Sequence, residues 1–517
     1  MKPILTCMLA SLLLALSGQQ ARAAGDEAPR CRYVAIAKLP LHYTGPYLEI
    51  TTRGVINGTP ALMLVDTGAY DSFLTRRGAE RRNMRLSNTG RVAQGVGGFS
   101  SIYQTQVQEF VAGSARSEPG TMRVLSDFGA APSYDAILGA PFLMQADLEI
   151  SLASKELKFF QPINCADDHL GYWDPAALAI PLEANINHSP NPPFTVLVNG
   201  QKMRAIIDTG AQVSSISLAA ARRAGLKLDA PGVKRAADVV GVGENRMTRW
   251  HTVLETFQIG EETIRNADVS VTEGLDSIDV LLGADFLRSH RVLFALSQRK
   301  LYFSYVGGEP FDQGNRLAPW IQAEAEAGNT DAQMMLSSMY ATGKKVARDP
   351  ALAIGWLEKA ALGGNAHANI ATGRQLLLQG EPAQAAARLR AGLDKLPANR
   401  PAALWLYLAR VRNAQPELAR TELGTAFARS KDDAWPAPIA AFYLGKIDEN
   451  GLLKQASGDR VHAATRRCQA LVSMTEWYRA HDNGERAETI AAQSRQECRP
   501  AASVTGSHAV QSEDETS

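Results

Sequence analysis

Up to about residue 305, short runs of alternating apolar and polar residues are separated by Gly, Asn and Pro. Alternation of period two predicts half-buried strands rather than helices. One such run includes Val107 and Phe110 and stops at Gly113; another includes Leu254 and Phe257 and stops at Gly260. A short helical stretch is expected within 70–85 and another within 212–228. From about Asp312 the alternation ceases and Ala, Leu, Glu and Arg rise, with helical patterning over 321–368, 383–411, 415–430, 437–450 and 459–497. The pattern predicts two mostly-β lobes followed by an α-helical repeat domain, an α-solenoid. The polar segment Pro500–Ser517 reads as a disordered tail.

The β part contains an internal repeat. Ala61–Thr75 reads ALMLVDTGAYDSFLT and Met203–Ser217 reads MRAIIDTGAQVSSIS. Ile137–Leu143 reads ILGAPFL and Leu281–Leu287 reads LLGADFL. The DTGA copies lie 142 residues apart and the LGA copies 144. Between them each copy has a Gly-rich turn, Gly95-Val96-Gly97-Gly98 in the first and Gly241-Val242-Gly243-Glu244 in the second. Final strands follow at matching distances, with Leu157 after Gly139 and Leu301 after Gly283.

That order of motifs points to carboxylate chemistry. An Asp at the end of an apolar strand needs a turn that feeds it hydrogen bonds, and Gly68 and Gly210 permit close backbone approach and an unusual φ. Thr67 and Thr209 each offer a hydroxyl to a facing turn. Two facing turns would bring Asp66 and Asp208 together, and a pair of carboxyls holds one proton at moderately acidic pH. The ionised member can activate a water while its partner donates to a scissile carbonyl. The Gly-rich turns, with Val96 and Val242 near their tips, can close over an extended peptide. No cofactor and no metal is needed. The chain has no CxxC or His-rich cluster, no GxSxG, and no phosphate-binding glycine spacing.

Composition narrows the class. The chain has 517 residues, 45% apolar and 21% charged, with a net charge of +1. It lacks the basic excess of a nucleic-acid binder. The N-terminus begins with Lys2, runs apolar from Ile4 to Leu16 and reaches Ala21-Arg22-Ala23, the form of a cleaved secretory leader over 1–24. Its apolar run, which contains Cys7, is shorter than a membrane span, and no later segment is long and apolar enough to be one. Cleavage leaves Cys31, Cys165, Cys468 and Cys498, which allow three disulfide pairings. Cys31–Cys165 and Cys468–Cys498 are favoured, because the first would flank one domain and the second would staple one helical hairpin.

The motif order resembles the retropepsin-like aspartic proteases over roughly 45–163 and 190–305. The resemblance implies that Asp66 and Asp208 form the catalytic dyad, that Thr67 and Thr209 brace it across the lobes, and that Gly139 and Gly283 belong to the motif supporting the catalytic loops. It also implies a pseudo-dimer in one chain, with two flaps over a peptide or protein substrate in extended conformation. The flaps differ, since Gly97-Gly98 stands against Gly243-Glu244, followed by Asn245 and Arg246, with Trp250-His251 on the return strand.

The helical part repeats with a period of 36, Ala325-x-Ala327-Gly328 recurring as Ala361-x-Gly363-Gly364 and Ala332 as Ala368. It resembles a Sel1-like repeat, a relative of the tetratricopeptide repeats, through Ala327-Gly328, Ala332-Gln333, Leu336, Tyr340, Gly343, Val346, Asp349, Trp356 and Lys359-Ala360-Ala361. That resemblance implies a protein partner or substrate on the helices; the helices simply buttressing the lobes is the competing reading. The expected division is a leader at 1–24, an arm at 25–44, lobes at 45–165 and 190–306 joined by a linker at 166–189, Sel1-like repeats at 312–380, tetratricopeptide-like helices at 381–499 and a tail at 500–517. The expected function is an exported, periplasmic or secreted, aspartic endopeptidase. Two rivals stay open: a catalytically silent binding module, and a homodimer whose dyads join like lobes.

Overall fold

The computed structural model describes residues 30–498, apart from 127, 129–131, 185–189, 276–277, 314–315, 429–433 and 460. The expected leader, the start of the arm and the expected tail lie outside the described residues.

The two halves of the β region share one plan. In the first, Glu49–Ile56 turns into Thr59–Val65 through Asn57-Gly58, both at positive φ (49° and 71°). In the second, Phe194–Val198 turns into Gln201–Ile207 through Asn199-Gly200, at 47° and 78°. Asn-Gly tolerates the left-handed conformation that a two-residue hairpin requires. The inner strand then runs parallel to Ala136–Leu138 in the first lobe and to Val280–Leu282 in the second. A three-residue strand, Phe73–Thr75 or Ser215–Ser217, lies beside each and ends in a short helix, Arg76–Glu80 or Leu218–Arg223. Thr75 and Ser217 cap these helices by accepting from the N–H groups of Gly78 and Ala220. A further four-residue helix follows each LGA glycine, Ala140–Leu143 and Ala284–Leu287.

A six-stranded antiparallel sheet joins the halves in the order Arg32–Pro40, Glu156–Ile163, Asp147–Ser151, His290–Ala295, Lys300–Tyr305, Leu178–Pro181. At its centre Glu149 faces Leu293, and the flanking pairs are Leu148 with Phe294 and Ile150 with Val292. Glu149 and Leu293 are counterparts in the repeat as well as partners, and the exchange of halves carries each flanking pair onto the other, so a pseudo-two-fold axis passes between Glu149 and Leu293. Leu148, Ile150, Val292 and Phe294 are fully buried. The outer strand Leu178–Pro181 falls within the stretch expected as linker and mirrors Arg32–Pro40 on the opposite edge.

Beyond residue 318 the regular elements of the described residues are all helices, joined by turns. The period of 36 has a capping basis. Asn329 and Asn365 accept from the first N–H groups of Thr330–Thr342 and Ala366–Leu378, and Gly328 and Gly364 precede them at φ 93° and 84°. The pattern at 437–450 divides into Ala437–Tyr443 and Glu449–Ala456, because Gly445 turns at φ 71° and Asp448 caps a new helix. Likewise 459–497 is a hairpin of Ala463–Ala480 and Gly484–Glu497. Cys468 and Cys498 join this hairpin, while Cys31 and Cys165 bond across the edge of the interlobe sheet. Among the described residues, the only grouping of metal-type ligands is Cys31, Cys165 and Asp168, and its two sulfurs are bonded to each other. No helix among the described residues is long and apolar enough to cross a membrane.

The first helices pack into the same core as the lobes: Ile321, Ala325 and Leu336 belong to one cluster with Phe311 of the preceding turn, Phe257 of a flap strand and Phe286 of the helix Ala284–Leu287. Arg288, from the second lobe, lies over the rings of Trp320 (3.7 Å), in the helix Pro319–Glu326, and Tyr43 (5.6 Å), in the strand His42–Thr44, joining the second lobe and the arm to that helix. Asn329 Nδ2 donates to Tyr43 O at 2.9 Å, and Gly45 N–H to Asp331 Oδ2 at 2.8 Å.

Candidate active site

Asp66 and Asp208 stand just past the ends of Thr59–Val65 and Gln201–Ile207. Their backbone N–H groups donate to Leu138 O (3.0 Å) and Leu282 O (2.8 Å), which ties each loop to the neighbouring parallel strand. Asp66 Oδ1 accepts from Gly68 and Ala69 N–H, both at 2.9 Å; Asp208 Oδ1 accepts from Gly210 N–H at 2.8 Å. The two carboxyl groups are close enough to act on each other's titration. A Cβ on Gly68 would lie 2.5 Å from Asp208 Cγ, and one on Gly210 would lie 2.5 Å from Asp66 Cγ. Glycine is therefore required here for space. Neither residue has the positive φ that the sequence suggested.

Beneath the carboxyls the two threonines are fully buried and reciprocal. Thr67 N–H donates to Thr209 Oγ1 and Thr209 N–H to Thr67 Oγ1, each at 3.0 Å. Thr67 Oγ1 donates to Ile207 O (2.8 Å) and Thr209 Oγ1 to Val65 O (2.7 Å). Each hydroxyl thus both donates and accepts across the lobe boundary.

Gly139 and Gly283 lie behind these loops. Gly139 N–H donates to Ser72 Oγ (3.0 Å) and Gly283 N–H to Ser214 Oγ (2.9 Å). A Cβ at Gly139 would strike Asp71 O at 2.2 Å, and one at Gly283 would strike Ala211 O at 2.8 Å.

Above, the hairpins Ser87–Gly95/Gly98–Val107 and Lys234–Val239/Met247–Ile259 meet at their tips. Gly97 N–H donates to Val242 O (2.8 Å) and Asn245 N–H to Gly97 O (2.9 Å). A Cβ on Gly95 would meet Val242, and one on Gly241 would meet Val96 at 3.7 Å. Gly243 turns at φ 104° against Gly97. Val242 packs into an apolar cluster of the first lobe that includes Phe73, Ile102 and Leu125.

Family comparisons bear directly on this arrangement. Residues 52–142 match the family described as "Aspartyl protease", residues 194–289 match "gag-polyprotein putative aspartyl protease", and residues 330–365 match "Sel1 repeat". The chain carries two aspartyl protease domains followed by a Sel1 repeat. A search of curated proteins finds no match.

Electrostatics distinguish the two aspartates of these protease domains. Asp66 is held well above the ordinary range by burial, then by the charge of Asp208 and the hydrogen bond with it. Asp208 is also raised by burial, but hydrogen bonds from Asp66 and from backbone N–H groups favour its ionised form. Tyr134, near Asp66, is raised by its burial and by the charges of Asp66 and Glu49.

Several supporting residues escaped the sequence reading. Asn191 Nδ2 donates to Thr67 O (2.8 Å) and Ile207 O (2.9 Å), binding the second protease domain to the first beneath the carboxyls. Ser72 and Ser214 sit at equivalent places after the DTGA motifs and were visible as a repeated Ser, but without an assigned role. Asp285, which stands where the first domain has Pro141, accepts from Ser214 N–H and Oγ and from Gln313 Nε2. Trp250 packs on the main core and His251 pairs with Asp268.

Proposed function

We propose that this chain is an exported aspartic endopeptidase, with Asp66 and Asp208 as its dyad inside a single molecule. The observation that carries the reading is the reciprocal Thr67–Thr209 brace, which sets two carboxyls within hydrogen-bonding reach of each other. Asp208, the better stabilised anion, takes a proton from a water held between the two groups. The resulting hydroxide adds to the scissile carbonyl carbon while Asp66 gives its proton to the carbonyl oxygen. The tetrahedral gem-diol then collapses as the amide nitrogen takes a proton from Asp208 and Asp66 takes one from a gem-diol hydroxyl, which breaks the C–N bond, releases amine and acid, and restores the single proton to Asp66.

The flap tips, with Val96, Gly97, Val242 and Gly243, bond the main chain of an extended substrate after parting to admit it. The functional units are residues 45–165 and 190–306, with 312–499 recruiting substrate or a protein partner. Export is supported by the leader pattern at 1–24 and by the disulfides Cys31–Cys165 and Cys468–Cys498. The test is cleavage of an unstructured protein from acidic to neutral pH, with pepstatin and with Asp66→Asn and Asp208→Asn. Turnover that survives either substitution would sink the shared dyad.

A further inference from the structure

The pseudo-two-fold axis allows the two sides of the cleft to be compared position by position. In the first domain Phe73–Thr75 pairs in parallel with Gly120–Leu125, and Leu125 faces Ile102 on the flap strand. In the second, Ser215–Ser217 pairs in parallel with Glu262–Thr272, and Thr272 faces Arg249 on the flap strand. The helix-capping residues Thr75 and Ser217 fix the alignment. Phe73 therefore corresponds to Ser215, Leu125 to Thr272, and Ile102 to Arg249.

In the first domain these three side chains form an apolar cluster that packs against Ala69, three residues past Asp66, and against the opposite flap's Val242. In the second domain the same places are polar. Thr272 Oγ1 donates to Ser215 Oγ at 3.3 Å, and Arg249 is half-buried beside them. Arg249 Nε donates to Ala237 O at 3.0 Å, which fixes the guanidinium and leaves its terminal nitrogens as donors. The carboxylate that acts on it is Asp238, which is paired with Arg235. Lys345, from the helical segment, is close enough to Arg249 to influence it, and the nearby Asp268 is held by His251. No ion-pair partner of Arg249 is found among the described residues. A guanidinium taken partly out of water without a carboxylate is costly, and an incoming carboxylate offsets that cost with charge-assisted hydrogen bonds.

Resting on the peptidase reading above, we propose that the cleft is two-faced: the first domain receives a large apolar or aromatic side chain, and the second receives an acidic side chain bound by Arg249. The substrate class is an extended peptide carrying an apolar residue on one side of the scissile bond and Asp or Glu on the other.

The test compares paired peptides that differ only by Glu against Gln, or by Glu against Lys, beside the cut, using the full chain. Wild type is expected to favour Glu over Gln by about 10- to 100-fold in kcat/KM, the range for a hydrogen bond to a charged group. Arg249→Gln is expected to bring that ratio near one, and Arg249→Glu to turn the preference toward Lys. A wild-type ratio near one overturns the proposal while leaving the peptidase reading intact, and this comparison needs no variant to fold. A Glu preference that persists in Arg249→Gln overturns it as well. If wild type cuts nothing beyond Asp66→Asn, the peptidase reading fails and this inference with it.

Discussion

Thr67 and Thr209 do not touch the substrate in this scheme, yet they set the distance between the groups that do. Each places a buried hydroxyl against a backbone carbonyl and a backbone N–H of the other lobe. Thr209→Val keeps the volume but leaves Thr67 N–H and Val65 O without that partner. It should cost about 2–4 kcal/mol, from one or two buried groups left unsatisfied, read by denaturant unfolding. Turnover should fall with it. Thr209→Ser should recover most of both. The dyad's titration gives a second expectation at this scale. Both aspartates are raised, Asp66 more so, and the working state holds one proton. The profile of kcat/KM against pH should be a bell with both limbs above the ordinary aspartate range. The sign for stability follows. A carboxyl whose folded pKa is raised stabilises the fold at low pH, and this contribution is lost as pH rises through the folded value. Asp66→Asn should accordingly flatten the melting temperature against pH. The aspartates, threonines and glycines were legible because each sits in a contiguous motif present twice. Asn191, which bonds Thr67 O from a distant loop, was not, since nothing local marks a lone Asn for that task.

The flaps pose the corresponding question for elements. Gly243 holds φ 104°, and a Cβ there would fall 2.3 Å from the Gly97 carbonyl. Gly243→Ala should therefore disfavour the interlocked tips by about 1–2 kcal/mol or more from the left-handed strain alone. The expected readout is a several-fold loss in kcat/KM and faster amide exchange in both flap hairpins, with global stability little changed. Unaltered exchange would show that the tips are not coupled. Strand alternation and the two short helices within 70–85 and 212–228 were readable from period and punctuation. The four-residue helices after Gly139 and Gly283 were not, because one turn carries no period. The interlobe sheet also stayed hidden. Its central register joins Glu149 to Leu293, a pairing that alternation within either strand does not encode.

At the scale of the whole molecule, the helices and lobes are coupled through Arg288, Trp320 and Tyr43. Trp320→Ala should cost about 2–4 kcal/mol of docking through lost packing and cation–π contact, seen as a second, earlier unfolding transition. The same seam is pH-sensitive. Burial raises Glu49 to about 7, with Asp331 of the second helix adding to the rise. Stability from Glu49 is present below its ordinary value and lost as pH climbs toward 7, by on the order of 1–3 kcal/mol. Glu49→Gln should remove that part of the pH dependence of melting. None of this coupling was legible beforehand, since its residues come from three segments with no shared motif. The brace has one more consequence at this scale. Both threonines are tethered to one backbone, so their encounter does not depend on how many molecules are present. Turnover per molecule should then hold constant under extreme dilution, where a site assembled from separate chains would fall apart and go silent.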